Sequence, residues 1–82
     1  MLHVLVSENR YFADFNRSAR KKAPIDWIVP KVAAVGDDVV IFIPDRGLVA
    51  CGKVMTQPQP TTFGRGPAYR ADIDGLRLFI RP

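Results

Sequence analysis

One cysteine, one histidine and one tryptophan are all that 82 residues provide, and two of these shortages close off a class of function. A single cysteine, Cys51, cannot form an internal disulfide, which fits a reducing, cytoplasmic setting. Within its apolar run it reads as a small buried hydrophobe. The lone histidine, His3, has no cysteine or acid at ligand spacing, so no metal site is expected. No stretch approaches the roughly 18–20 apolar residues that a membrane span needs, and no membrane role is expected. The opening MLHVLVSENR is apolar but short and lacks a basic leader, so it does not read as a signal peptide.

Catalytic patterns are missing too. FGRGP, residues 63–67, has two glycines but no following helix and no Lys-Ser/Thr, so it is not a phosphate-cradling loop. Pro44-Asp45 followed by Lys53 comes near a metal-dependent nuclease pattern, but Cys51 stands where the second carboxylate is required. Without it the metal loses a ligand. Asp72 and Asp74 lie beside Gly75 and read as turn formers. The chain is therefore not expected to be an enzyme or to carry a cofactor.

What the sequence does have is charge of one sign in one place. Twelve Lys/Arg against eight Asp/Glu give a formal charge of +4. Arg17, Arg20, Lys21 and Lys22 crowd into six residues. Such a cluster either complements the negative end of a helix or contacts phosphates, and both readings stay open.

The length suits one domain, residues 1–82, burying about 60–65% of its unfolded surface. LHVLVS, residues 2–7, reads as a buried strand, and Ser7 stands where a helix cap would. Apolar residues at 12, 15 and 19, with Tyr11 four before Phe15, predict a helix over roughly 8–21 that Pro24 ends. Trp27 follows in an extended segment, IDWIVPK, between Pro24 and Pro30. Residues 39–43 are apolar at every position, which predicts a central strand covered on both faces. After a turn at Asp45-Arg46-Gly47 comes the strand LVACGKVMTQ, in which Gly52 marks a bulge or a close backbone approach. Residues 58–67 hold three prolines and two glycines and read as a mobile loop. AYRADI alternates, putting Tyr69, Ala71 and Ile73 on one face and Arg70 and Asp72 on the other. Asp74-Gly75 is a hairpin signal before a last strand, LRLFI. The fold class expected is α+β, a small and partly open β-barrel with one helix after the first strand.

The order of these features carries a resemblance. HVLVSEN closing a first strand, DWIVPK around an isolated tryptophan, VGDDVVIFI, GLVACGKV and AYRADI follow one another over roughly residues 3–80. That order resembles the PUA-like superfamily, and within it the EVE domains related to the YTH readers. The resemblance implies a β-barrel with a concave pocket for a modified nucleobase. On it, Ser7 matches the serine that closes the first strand and Trp27 matches the cage tryptophan. EVE-type domains also stand at the N-terminus of restriction enzymes that attack modified DNA, so the resemblance implies an attached C-terminal nuclease domain. The chain departs from the pattern at Pro30-Lys31, where an Arg-Asn pair is usual, so a base-edge contact passes to Lys31 or to backbone.

The implied partner is modified double-stranded DNA, with modified cytosine favoured. Ser7, Trp27, Lys31 and Phe63 would form the base pocket, and Arg17, Arg20, Lys21, Lys22, Arg65 and Arg70 would meet phosphates. Plainer roles stand beside these. Trp27 and Tyr69 serve equally as packing, Ser7 as a helix cap, Phe63 as a loop anchor, and Arg65 and Arg70 as ordinary surface. An RNA-binding module, or a structural or protein-interaction domain, remains the alternative.

Overall fold

The computed structural model describes residues 1–79. Six strands and one α-helix follow in the order β1 (Leu2–Val6), a single 3-10 turn (Asn9–Tyr11), α1 (Phe12–Lys21), β2 (Ile25–Val29), β3 (Asp38–Ile43), β4 (Gly47–Val54), β5 (Gln59–Phe63) and β6 (Gly66–Leu78). The fold is mixed α+β. One sheet runs β1-β3-β4-β6-β2, with β5 also on β6. β1 is parallel to β3, from Leu2 opposite Asp38 to Val6 opposite Phe42. Every other pairing is antiparallel.

The sheet is not closed into a barrel, because β1 and β2 occupy the two ends of the path and do not pair. The expected strands and early helix are present, but closure is not. Two devices bend the sheet instead. Val49 is an extra residue between Leu48, opposite Phe42, and Ala50, opposite Ile41, so Val49 and Ala50 are both buried. In β6 the register slips between Arg77, opposite Cys51, and Asp74, opposite Lys53. Gly75 sits there at φ +63°. The Asp74-Gly75 pair is therefore a glycine bulge inside one long strand and not a hairpin turn, since both uses need the same left-handed glycine.

The segment expected to be a mobile loop also corrects. β5 and β6 form a hairpin in which Phe63 pairs with Gly66 across Gly64-Arg65. Gly64 is at φ +64° while Arg65 is not in the left-handed region, the pattern of a turn with glycine at its first central position. Its prolines are tolerated because β5 pairs only with β6 and leaves one edge free.

The core lies on one face of the sheet. Leu5, Val29, Val39, Ile41, Ile43, Ala71 and Ile73 converge there on Phe15 of α1, which is fully buried. β3 is an interior strand as expected, but only Val39, Ile41 and Ile43 are buried, and Val40 and Phe42 are half-buried. One helix covers one face. On the other, Val4 and Val6 of β1 remain 57% and 68% exposed.

α1 starts four residues later than the periodicity predicts, and Ser7 does not cap it. The Ser7 hydroxyl donates to the Glu8 carbonyl at 3.2 Å, while Tyr11 occupies the cap position without a side-chain bond. The helix ends in a Schellman arrangement. The N–H of Lys22 donates to the Ala19 carbonyl, and the N–H of Ala23 to that of Ser18 at 3.1 Å. Lys22 takes the left-handed position, φ 53°, that glycine usually fills. Among the described residues no helix is long and apolar enough to cross a membrane. Of the expected last strand, Ile80 lies outside the described residues.

Candidate functional site

Because β1 pairs only with β3, and β2 only with β6, each keeps one free edge. Both line the same cleft, of about 830 Å³, within the size range of small-ligand sites. Val4, Leu5, Val6 and Ser7 form one wall, and Asp26, Trp27, Ile28, Val29 and Pro30 the other. Ile43, Pro44 and Asp45 come from the β3–β4 connection, and Thr61 and Phe63 from the β5–β6 hairpin. The site is thus the unclosed seam of the sheet. Its free edges present backbone N–H and C=O groups that any closing strand would have consumed.

Trp27 is neither fully buried core nor free aromatic. Phe15 approaches its ring edge-on at a centroid distance of 4.7 Å, and Tyr11 at 5.1 Å. Two such contacts fix the indole plane, each worth about 0.5–1.5 kcal/mol beyond burial. The indole also lines the seam cleft and a second, smaller cleft of about 340 Å³. The second is bounded by Asp14, Arg17, Ser18, Lys21, Ala23, Pro24, Ile25 and Asp26. Trp27 is the partition between an apolar cleft and a smaller one whose charged residues are two acids, Asp14 and Asp26, and two bases, Arg17 and Lys21.

Of the expected base-pocket residues, Ser7, Trp27 and Phe63 meet in the seam. Lys31 does not. Its ammonium lies 5.8 Å above the Tyr69 ring, a cation–π position beside the cleft. Phe63 is 61% exposed at the hairpin end, so it anchors nothing and faces the mouth. Of the expected phosphate contacts, Arg17 and Lys21 line the second cleft, Arg70 lines the seam, and Arg20 and Lys22 line neither. Arg65 forms the hairpin turn. Arg17 reaches Asp14 at 3.5 Å.

The seam's rim is not basic. Its charged residues are Glu8, Asp26, Asp45 and Arg70, three acids to one base. Arg10 holds Glu8 at 2.6 Å, and Arg70 holds Asp26 at 3.1 Å. Asp45 makes no ion pair among the described residues. Sequence reasoning missed Tyr11, Asp26, Asp45 and Thr61 as cleft residues. Only Tyr11 carried a signal, its spacing of four from Phe15. At the opposite end of β1 from Ser7, Asp37 accepts from His3 at 2.8 Å, from the Ala34 N–H at 3.0 Å and from the N-terminal ammonium at 3.2 Å. Those bonds hold its carboxyl down at about 2. Among the described residues no three His, Cys, Asp or Glu side chains gather as a metal would need.

No protein-family model, no curated protein and no solved structure matches this chain.

Proposed function

We propose that the chain is a non-catalytic nucleic-acid reader that takes one unpaired, modified base, modified cytosine first, into the seam cleft. The observation that carries this is convergence: Ser7, Trp27 and Phe63, from three distant segments, line one apolar cleft with an open mouth. On this reading the open sheet is a PUA-like barrel parted at one seam, and the resemblance to EVE-type domains supplies the ligand class.

A base enters such a cleft only when it leaves its stack, which costs a few kcal/mol in a duplex. Stacking on Trp27, held by Phe15 and Tyr11, returns about 1–3 kcal/mol. The acidic rim repels phosphates. The backbone of the nucleic acid therefore runs past Arg17 and Lys21 behind Trp27, and past Arg65 on the hairpin, with Arg20 and Lys22 adding only long-range attraction. A nuclease domain attached to the reader would supply cleavage.

Trp27 fluorescence tests this directly, because the chain has no other tryptophan. Duplexes differing at one cytosine, plain or methylated, are titrated at two salt concentrations. Quenching that saturates earlier with the methylated duplex is expected, and Phe63→Ala weakens it severalfold without lowering thermal stability, as that ring is mostly exposed. Identical curves for both duplexes would refute base reading. Two free strand edges on one apolar cleft favour a second reading, addition of an extended peptide, which would leave every duplex curve flat.

A further inference from the structure

The polar side chains of the seam are unevenly occupied. Glu8 and Asp26 are spent on Arg10 and Arg70, the Ser7 hydroxyl on the Glu8 carbonyl, and the Asn9 amide oxygen on Arg46. Asp45 is left. It sits in the β3–β4 turn at the cleft's lip, exposed, with no ion pair or side-chain hydrogen bond among the described residues. A carboxylate accepts and cannot donate at neutral pH. The free edges of β1 and β2 offer donors and acceptors alike, so they do not choose between bases, whereas Asp45 does.

Resting on the base-reading proposal, we infer that the seam selects bases carrying an exocyclic amine at pyrimidine C4 or purine C6, with Asp45 as the acceptor that discriminates. Cytosine presents an N4 amine and adenine an N6 amine; thymine and uracil present a carbonyl oxygen at the corresponding place. A carboxylate facing that oxygen is repelled and leaves both groups unpaired. 5-Methylcytosine and thymine share size, ring methyl and stacking surface and differ at this edge. Stacking on Trp27 alone would not separate them. Asp45 separates them, and modified uracils are excluded from the cleft even when they are unpaired.

The experiment uses single-stranded oligonucleotides of abasic residues with one central base, 5-methylcytosine or thymine, read by Trp27 quenching. The wild-type chain is expected to half-saturate with 5-methylcytosine at a concentration at least about fivefold lower than with thymine. Asp45→Asn brings the two within about twofold, since an amide both donates and accepts. The ratio is the readout, because removing an acid strengthens binding of any oligonucleotide. Equal wild-type affinities would overturn the inference and leave base reading intact. A preference undiminished in Asp45→Asn would overturn the role of Asp45. No quenching by either oligonucleotide would remove base reading and the inference together.

Discussion

Gly52 lies where β4 meets β6, and adding one carbon there should cost stability. A Cβ at that position would stand 2.8 Å from Cγ2 of Ile73, 3.0 Å from the Asp74 carbonyl oxygen and 3.4 Å from Cδ1 of Leu76. Carbon pairs rest at about 3.5–4.0 Å, so Ile73 would have to retreat by roughly 1 Å. It has nowhere to go. Ile73 is fully buried, opposite Val54 of β4 on one side and Ile25 of β2 on the other, and the Asp74 oxygen is backbone. Overpacking of this kind costs about 1–3 kcal/mol. The stiffer unfolded chain returns about 0.4–1 kcal/mol, because Gly52 is not in the left-handed region and alanine fits its backbone. The mid-range net for Gly52→Ala is a loss of about 1.3 kcal/mol, a Tm lower by roughly 5–10 °C for a domain this small. Gly66→Ala is the control. Nothing lies within 4 Å of its Cβ and its φ is not positive, so it should be neutral or up to about 1 kcal/mol stabilising. Thermal melts followed by circular dichroism decide. If Gly52→Ala melts with the wild type, or if Gly66→Ala loses as much, the steric reasoning fails.

Two further outcomes follow from the same structure. Asp37 has its carboxyl lowered from 3.8 to about 2, chiefly by the bond to His3 and then by the Ala34 N–H. Its contribution is therefore complete above pH 4 and is lost as pH falls through about 2; Asp38, lowered by Lys53, adds in the same direction. Melts from pH 5 to pH 2 should show a shallower acid loss for Asp37→Asn than for wild type, and parallel slopes would contradict this. Lys22→Gly should raise Tm by roughly 4–8 °C, because the left-handed C-cap costs a side-chain-bearing residue about 1–2 kcal/mol, part of which glycine's added freedom takes back. An unchanged or lower Tm would count against strain at that cap.

Periodicity makes burial legible where residues alternate, and misleads in apolar runs: LHVLVS reads as a buried strand, yet Leu2, Val4 and Val6 are exposed. The alternation of Tyr69, Ala71 and Ile73 predicts the inward face of β6, and Ala71 and Ile73 are buried while Tyr69 packs against the core. The spacing of Phe12, Phe15 and Ala19 predicts α1, with Phe15 fully buried. What periodicity cannot express is pairing. Gln59–Phe63 looks like a loop because proline and glycine usually break strands, yet one free edge is enough to admit them. Asp74-Gly75 looks like a turn because a bulge and a turn need the same glycine conformation. The lining of the candidate cleft is legible where it is aromatic, in Trp27 and Phe63, and illegible where it is acidic. Asp26 and Asp45 lie 19 residues apart in the sequence, and only the open seam brings them to one rim.

The thirteen residues of β6 hydrogen-bond with β2, β4 and β5, and no other strand serves so many partners. β2 waits for it across a long stretch of chain, Ile25 meeting Ile73, just as β1 waits for β3. During translation, then, β1 meets its partner β3 within the first 43 residues, whereas β2 emerges long before β6 can pair with it. Contacts of such high sequence separation fold slowly. The native sheet can be completed only once β6 is available as far as Leu78, since β2, β4 and β5 all pair with it.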